Sequence, residues 1–146
     1  MRDTLKPGLS LEKRILVEPR HAISFMGPDV PGVLASPYML FFMEHAAREC
    51  VLPHLAPGSD TVGVGFEFEH RAAAPIGSVV IATAELVTID GRRLQFRIEA
   101  RDEVEVIVCG SHVRAIVEIA RFAERMRRKA SSLSGIRSVT SRLPNT

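Results

Sequence analysis

The segment Tyr38-Met39-Leu40-Phe41-Phe42-Met43 is the most apolar run in the chain. It is far too short to cross a bilayer, which takes about 20 residues. Ser36-Pro37 just before it is a helix-start signal, with serine as N-cap and proline at the first helical position. Pro53 and Pro57-Gly58 end the apolar pattern, so the sequence predicts one helix over residues 37–52. Arg48 and Glu49 are its polar exceptions, and a helix apolar almost all round must be surrounded by other structure.

After this helix the period changes from helical to twofold. Val62, Val64, Phe66 and Phe68 alternate with Gly63, Gly65, Glu67 and Glu69, and the run ends at His70. Pro75-Ile76-Gly77 reads as a turn and residues 78–89 as a β-branched strand, with Asp90-Gly91 as a hairpin turn. Leu94, Phe96, Ile98 and Ala100 alternate with polar residues, as in a strand with one wet face. Residues 104–119 read as the last strand, interrupted at Gly110-Ser111, and residues 120–130 as a short basic helix. In front of the central helix, residues 9–17 read as a strand. Residues 20–35, with Gly27, Pro28, Pro31 and Gly32, read as a loop long enough to be functional. Consecutive strands joined by tight turns make an antiparallel sheet. The predicted architecture is α+β, a hotdog fold: an antiparallel sheet wrapped around one central apolar helix. Its open sheet edge predicts pairing with a second copy, so a homodimer is expected, with a tetramer as the larger alternative.

The chain of 146 residues fits one domain over residues 1–130 with a flexible polar tail over 131–146. A chain this long buries roughly 70% of its unfolded surface and needs no staples. No apolar signal core follows the N-terminus, so a soluble cytoplasmic protein is expected. Cys50 and Cys109 are expected to be reduced and unbridged. The net charge of +2 is uneven. Residues 121–146 carry +6 and the rest carry −4. Such a basic end can meet a polyanion, but no aromatic residues are interleaved as in nucleic-acid binding, and a solvated helix end accounts for it.

Glu44 directly follows the apolar run. A carboxylate there is expected to lose hydration, and it must then find a partner or a proton. Both outcomes serve acid–base or nucleophilic chemistry. Ser36 lies eight residues before it and His70 lies 26 after it, which makes a hydrolytic set of hydroxyl, carboxylate and imidazole. Ser36 also has a purely structural use as an N-cap, worth about 1 kcal/mol. Gly63 and Gly65 either admit close packing or let a substrate carbonyl approach a backbone amide. His45, His54 and His112 read as structural, and His21 as an unassigned loop residue. No set has metal-ligand spacing.

The stretches Val33-Leu34-Ala35-Ser36-Pro37-Tyr38-Met39-Leu40-Phe41-Phe42-Met43-Glu44, Phe68-Glu69-His70-Arg71-Ala72-Ala73-Ala74-Pro75-Ile76-Gly77 and Gly110-Ser111-His112-Val113-Arg114-Ala115 resemble the fluoroacetyl-CoA thioesterase-like branch of the hotdog thioesterases. Asp90-Gly91-Arg92-Arg93-Leu94 adds to the match, which spans roughly residues 8–129. The resemblance implies hydrolysis of an acyl-CoA thioester to a carboxylate and free CoA. It also implies catalytic roles for Ser36, Glu44 and His70, with Gly63 and Arg114 lining the site. Serine stands where the family has threonine. Met26-Gly27-Pro28-Asp29-Val30 carries no aromatic residue where the name-giving enzyme closes its site with an aromatic lid, which implies a general acyl-CoA substrate.

CoA is anionic, so arginines at the site mouth are expected to bind its phosphates: Arg71, Arg92, Arg93 or the basic helix. No cofactor is expected beyond the CoA of the substrate, and neither nucleic acid nor a membrane is an expected partner. Two readings compete with hydrolysis. One is a hotdog enoyl-thioester hydratase, which would want an aspartate–histidine pair. The other is a non-catalytic acyl-CoA or acyl-carrier-protein binding protein.

Overall fold

A computed structural model describes residues 3–133. Among the described residues, seven strands and two α-helices follow one another: β1 (Ser10–Leu16), β2 (Ala22–Ile23), β3 (Val33–Leu34), α1 (Ser36–Val51), β4 (Ser59–His70), β5 (Val79–Asp90), β6 (Arg93–Arg101), β7 (Val106–Glu118) and α2 (Ile119–Ser132). The main sheet has the order β1-β5-β6-β7-β4 and every pairing in it is antiparallel. Helix α1 packs across one face of it, chiefly against β5 and β1. This is the expected sheet wrapped on one apolar helix.

The alternation in β6 does what its period requires. Leu94, Phe96, Ile98 and Ala100 are all buried, while the residues between them are exposed. Burying each of Leu94, Phe96 and Ile98 contributes about 1.5–3 kcal/mol. Opposite them lie Met39, Met43, Ala46, Ala47, Cys50 and Val51 of α1. Small Ala46 and Ala47 let the helix sit close to the sheet while the methionines fill the irregular gaps.

Four expectations need correction. Only β5, β6 and β7 pair in chain order. β4 pairs with β7 and β5 with β1, because residues 71–78 cross the sheet from edge strand β4 to β5, next to β1. That crossover is tied down by Leu34 N–H donating to the Ala74 carbonyl and Val17 N–H to the Ser78 carbonyl. Gly110-Ser111 does not interrupt the last strand. β7 runs on through both, and a Cβ at Gly110 would overlap the Glu67 carbonyl and Phe68 backbone of β4. Glycine there permits a close strand approach. The loop over 20–35 contains a two-residue ribbon in which Ala22 pairs with Leu34 and Ile23 with Val33. Finally, α1 is not enclosed. Tyr38 and Phe41 are 43% and 56% exposed on the side the sheet does not cover.

The basic helix forms as expected but runs on to Ser132, two residues into the segment read as tail. The tail expectation for 134–146 lies outside the described residues. Among the described residues, no helix is long and apolar enough to cross a membrane. Cys50 and Cys109 are both free thiols.

Candidate active site

Ser36 is the first residue of α1, with Ala35 in the cap position, and no side chain caps the helix. The Ser36 hydroxyl instead lies 2.8 Å from Nδ1 of His70, the last residue of β4. The N-cap reading therefore fails, for a geometric reason. Ser36 is already inside the helix, and its oxygen turns outward to the sheet edge. The hydroxyl is left partnered by an imidazole, which is the contact an activated hydroxyl needs. Arg71 follows on the same edge, exposed, with Nε 3.1 Å from Glu69.

Glu44 sits two helical turns further along. Its carboxylate lies against Gly63 of β4, where an added Cβ would stand 3.2 Å from both carboxylate oxygens. Glycine at that position makes the space. The carboxylate also faces Arg114 of β7, with Oε1 and Nη1 3.4 Å apart. The burial expected of Glu44 is inverted. The Glu44 side chain is 42% exposed, and the arginine is the buried charge, at 2%.

The Arg114 guanidinium is held on three sides. Nε donates to Thr61 Oγ1 at 2.7 Å, and Nη2 donates to the Thr61 carbonyl at 2.8 Å. Nη1 lies 3.2 Å from His112 Nε2. Since arginine only donates, His112 Nε2 must accept, and its Nδ1–H then donates to the Gly65 carbonyl at 2.8 Å. These two partners select one neutral tautomer. Burial pulls the His112 pKa down from its ordinary value, against the bond to Gly65, and the Arg114 charge adds to the lowering. Phe66 stacks on the His112 ring at 3.8 Å. Burial likewise lowers the Arg114 pKa, with Glu44 opposing it, and an arginine stays charged regardless.

The sequence candidates therefore fall into two clusters. Ser36 and His70 form one, and Glu44, Gly63 and Arg114 form the other. Among the described residues, no hydrogen bond or ion pair joins Glu44 to Ser36 or His70. Spacing explains the gap. Eight residues of helix separate Ser36 from Glu44, roughly 12 Å of rise. Seven residues of strand separate Gly63 from His70, roughly 20 Å.

Thr61 was not singled out by sequence and His112 was read as structural; together they orient Arg114. The available signal was the alternation of β7, which points His112 and Arg114 to the same inner face two residues apart. Two inward polar residues in one strand require a shared network. His21 proves to be an anchor: it is buried, takes the Glu18 N–H on Nδ1 at 3.2 Å, and packs edge-on to Phe42. His45 packs against Phe41. Phe25, next to the loop segment without aromatics, projects 77% exposed. No metal-binding group of His, Cys, Asp or Glu occurs among the described residues.

A single helix laid across a five-stranded antiparallel sheet is the hotdog arrangement, and a hydroxyl, a carboxylate and an imidazole stand at its open edge as candidate hydrolytic groups. Comparison with known proteins agrees. The family model for fluoroacetyl-CoA-specific thioesterase matches residues 17–120. The fluoroacetyl-CoA thioesterase of Streptantibioticus cattleyicolor is 33% identical over 135 residues, covering 88% of this chain and 97% of that protein. A crystal structure of a variant of the fluoroacetyl-CoA-specific thioesterase superposes with a TM-score of 0.78 at 32% identity, covering 88% of this chain and 99% of that one. A hypothetical Thermus thermophilus protein of the thioesterase superfamily superposes with a TM-score of 0.82 at 28% identity, over 91% of this chain and 98% of that one. The chain belongs to the fluoroacetyl-CoA-specific thioesterase family, and its reaction is thioester hydrolysis.

Proposed function

We propose that the protein hydrolyses acyl-CoA thioesters with Glu44 as the reacting carboxylate, in a site completed by Ser36 and His70 of a second copy. The observation that carries this reading is the Glu44 carboxylate, half-open to solvent, pinned between Gly63 and a buried arginine. A carboxylate held in that way is free to approach a carbonyl carbon, directly or through a water molecule. In the net reaction the C–S bond breaks, the acyl carbon gains the hydroxyl of water, and the CoA sulfur gains the proton. His70 is suited to deliver that proton, and Ser36 to orient the imidazole.

The pairing of two copies is supported by β4, which is an edge strand. Two β4 strands running antiparallel about a twofold axis between Phe66 and Glu67 set His70 of one copy opposite Gly63 of the other. The cluster missing from each end is thereby supplied by the partner. Exposed Tyr38 and Phe41 of α1 and Val64 of β4 offer apolar surface for such a pairing to bury. A homodimer with two shared sites is the proposed assembly, and CoA enters only as part of the substrate.

The substrate is taken to be a general acyl-CoA, because serine and a segment without aromatic residues, Met26 to Val30, stand where the name-giving enzyme has threonine and an aromatic lid. The test is free-thiol release from a panel of acyl-CoAs, with Glu44→Gln alongside. Release abolished by Glu44→Gln supports the assignment; tight binding of CoA esters with no release would replace it by a carrier or sensor role. Sharing is tested by co-refolding Glu44→Gln with His70→Ala. Random mixing leaves one intact site in half of the dimers, about a quarter of wild-type activity. No recovery would place all three groups within one chain.

A further inference from the structure

The basic residues outside the catalytic clusters gather around two cavities that share a wall. One, of about 400 Å³, lies where β4 begins, lined by Ala56, Ser59, Gly91 and Ile116 together with Arg92 and Glu118. The other, of about 340 Å³, lies between the β5–β6 turn and α2, lined by Arg92, Arg121, Arg125 and Arg128 with Glu118 and Glu124. Arg92 and Glu118 border both, so the two form one groove, small and apolar at one end and arginine-rich at the other.

Its position ties it to the reaction. Arg114, Ile116 and Glu118 alternate along β7 and so share a face, and they pair with Gly63, Thr61 and Ser59 of β4. The groove therefore opens on the face that carries Glu44 and Arg114, four strand residues beyond Gly63, or roughly 13 Å. A pantetheine arm spans that distance.

The charge is unevenly used. Arg121 pairs with Glu118 at 3.5 Å, and Arg128 with Glu124 at 3.5 Å. Arg92 and Arg125 have no carboxylate partner among the described residues, and Arg125 is held over the Phe122 ring at 5.8 Å. Two unpaired guanidiniums facing one cavity repel each other unless an anion lies between them. The forked donors of arginine match phosphate oxygens. The family match ends at residue 120, so Arg121, Arg125 and Arg128 of α2, three of the four arginines, lie outside the segment the family model covers.

We propose that this groove binds the nucleotide end of the acyl-CoA, with the adenosine over Ala56, Gly91 and Ile116 and its phosphates between Arg92 and Arg125. The inference rests on acyl-CoA being the substrate. It separates the arginines that sequence left equivalent. Arg93 lies on the opposite face with Asp90 and Gln95, and Arg71 lies beside Glu69 at the far end of β4, so neither lines the groove.

The experiment has a kinetic arm and a binding arm. Arg92→Ala and Arg125→Ala, alone and together, are compared with wild type on one acyl-CoA and on the matching acyl-pantetheine. The double variant is expected to raise KM for the CoA ester about tenfold with kcat unchanged, and to leave the pantetheine ester unaffected. Calorimetric titration of the wild-type protein with adenosine 3′,5′-bisphosphate is expected to show one site per chain, lost in the double variant. That arm reads the groove even if no thioester is hydrolysed, so failure of the activity and failure of the groove are distinguishable. An unchanged KM for the CoA ester in the double variant would overturn the proposal. So would equal affinity for inorganic phosphate and the bisphosphate, which would reduce the groove to a general anion patch. Circular dichroism checks that the variants are folded.

Discussion

Gly63→Ala is the sharpest probe of the carboxylate cluster. The backbone at Gly63 lies outside the left-handed region, so alanine is conformationally tolerated. Its methyl would stand 3.2 Å from both Glu44 oxygens and 3.3 Å from Cδ, tighter than ordinary contact by a few tenths of an ångström. Glu44 is 42% exposed and can move aside, so the steric cost to the fold is small. Glycine-to-alanine replacement also lowers unfolded-state entropy, worth about 0.4–1 kcal/mol in favour of the fold. The two effects nearly cancel, and net stability should stay within about 1 kcal/mol, or roughly 2–4 °C in Tm. Catalysis has no such compensation. A 1 Å misplacement of a reacting group costs about 100-fold, so a shift of a few tenths of an ångström should lower kcat/KM about tenfold. The control is Gly65→Ala, two residues along the strand, where an added Cβ meets nothing within 4 Å. Thiol release and thermal melts on both variants decide the matter. Wild-type activity in Gly63→Ala, or an equal loss in Gly65→Ala, would refute the idea that Glu44 reacts from its place beside Gly63.

Two further outcomes follow from the hydrogen bonding. Because the Ser36 hydroxyl bonds His70 rather than capping α1, Ser36→Ala should add no measurable destabilisation in a His70→Ala background; an N-cap would still cost about 1 kcal/mol there by urea unfolding. His112 is held neutral, with its pKa lowered by burial, whereas the unfolded histidine protonates near 6.5. Its contribution to stability is therefore full above about pH 6.5 and is lost as pH falls from there toward the depressed folded value. Urea midpoints between pH 7.5 and 5.5 should fall in wild type and fall less steeply in His112→Phe; identical slopes would show that His112 carries no such linkage.

What the sequence revealed depended on how local each constraint was. The alternation of Leu94, Phe96, Ile98 and Ala100 fixed a face because each residue answers only to the pleat. Gly91, with φ +59°, marked the hairpin because few other residues adopt that conformation. The pairing of β4 with β7 was not legible. A strand's partner depends on where the chain crosses after it, and residues 71–78 announce a turn without its direction. Gly110 was read as a break for a similar reason. Its cause is the Phe68 backbone, which lies 42 residues away in the chain. Ser36 shows the same limit at the site. Ser-Pro predicted the helix start to within a residue, but that residue decides whether the hydroxyl caps the helix or meets His70.

The inverted burial of Glu44 and Arg114 bears on how the site can work. A catalytic carboxylate can be made reactive by stripping its water, but Glu44 keeps much of its exposure in a single chain. Here the desolvated member is the arginine, and a buried guanidinium is tolerable only when all its donors are used. Thr61, His112 and Glu44 use them. The cost of burying that charge is thus met by bonds that also fix where the carboxylate stands, and His112 in turn is fixed by Gly65 and Phe66. Position is secured from the sheet side while the outer side of the carboxylate is left free. That free side is where a second β4 would close over it, so desolvation, if required for reaction, comes with assembly or substrate and not with folding of one chain.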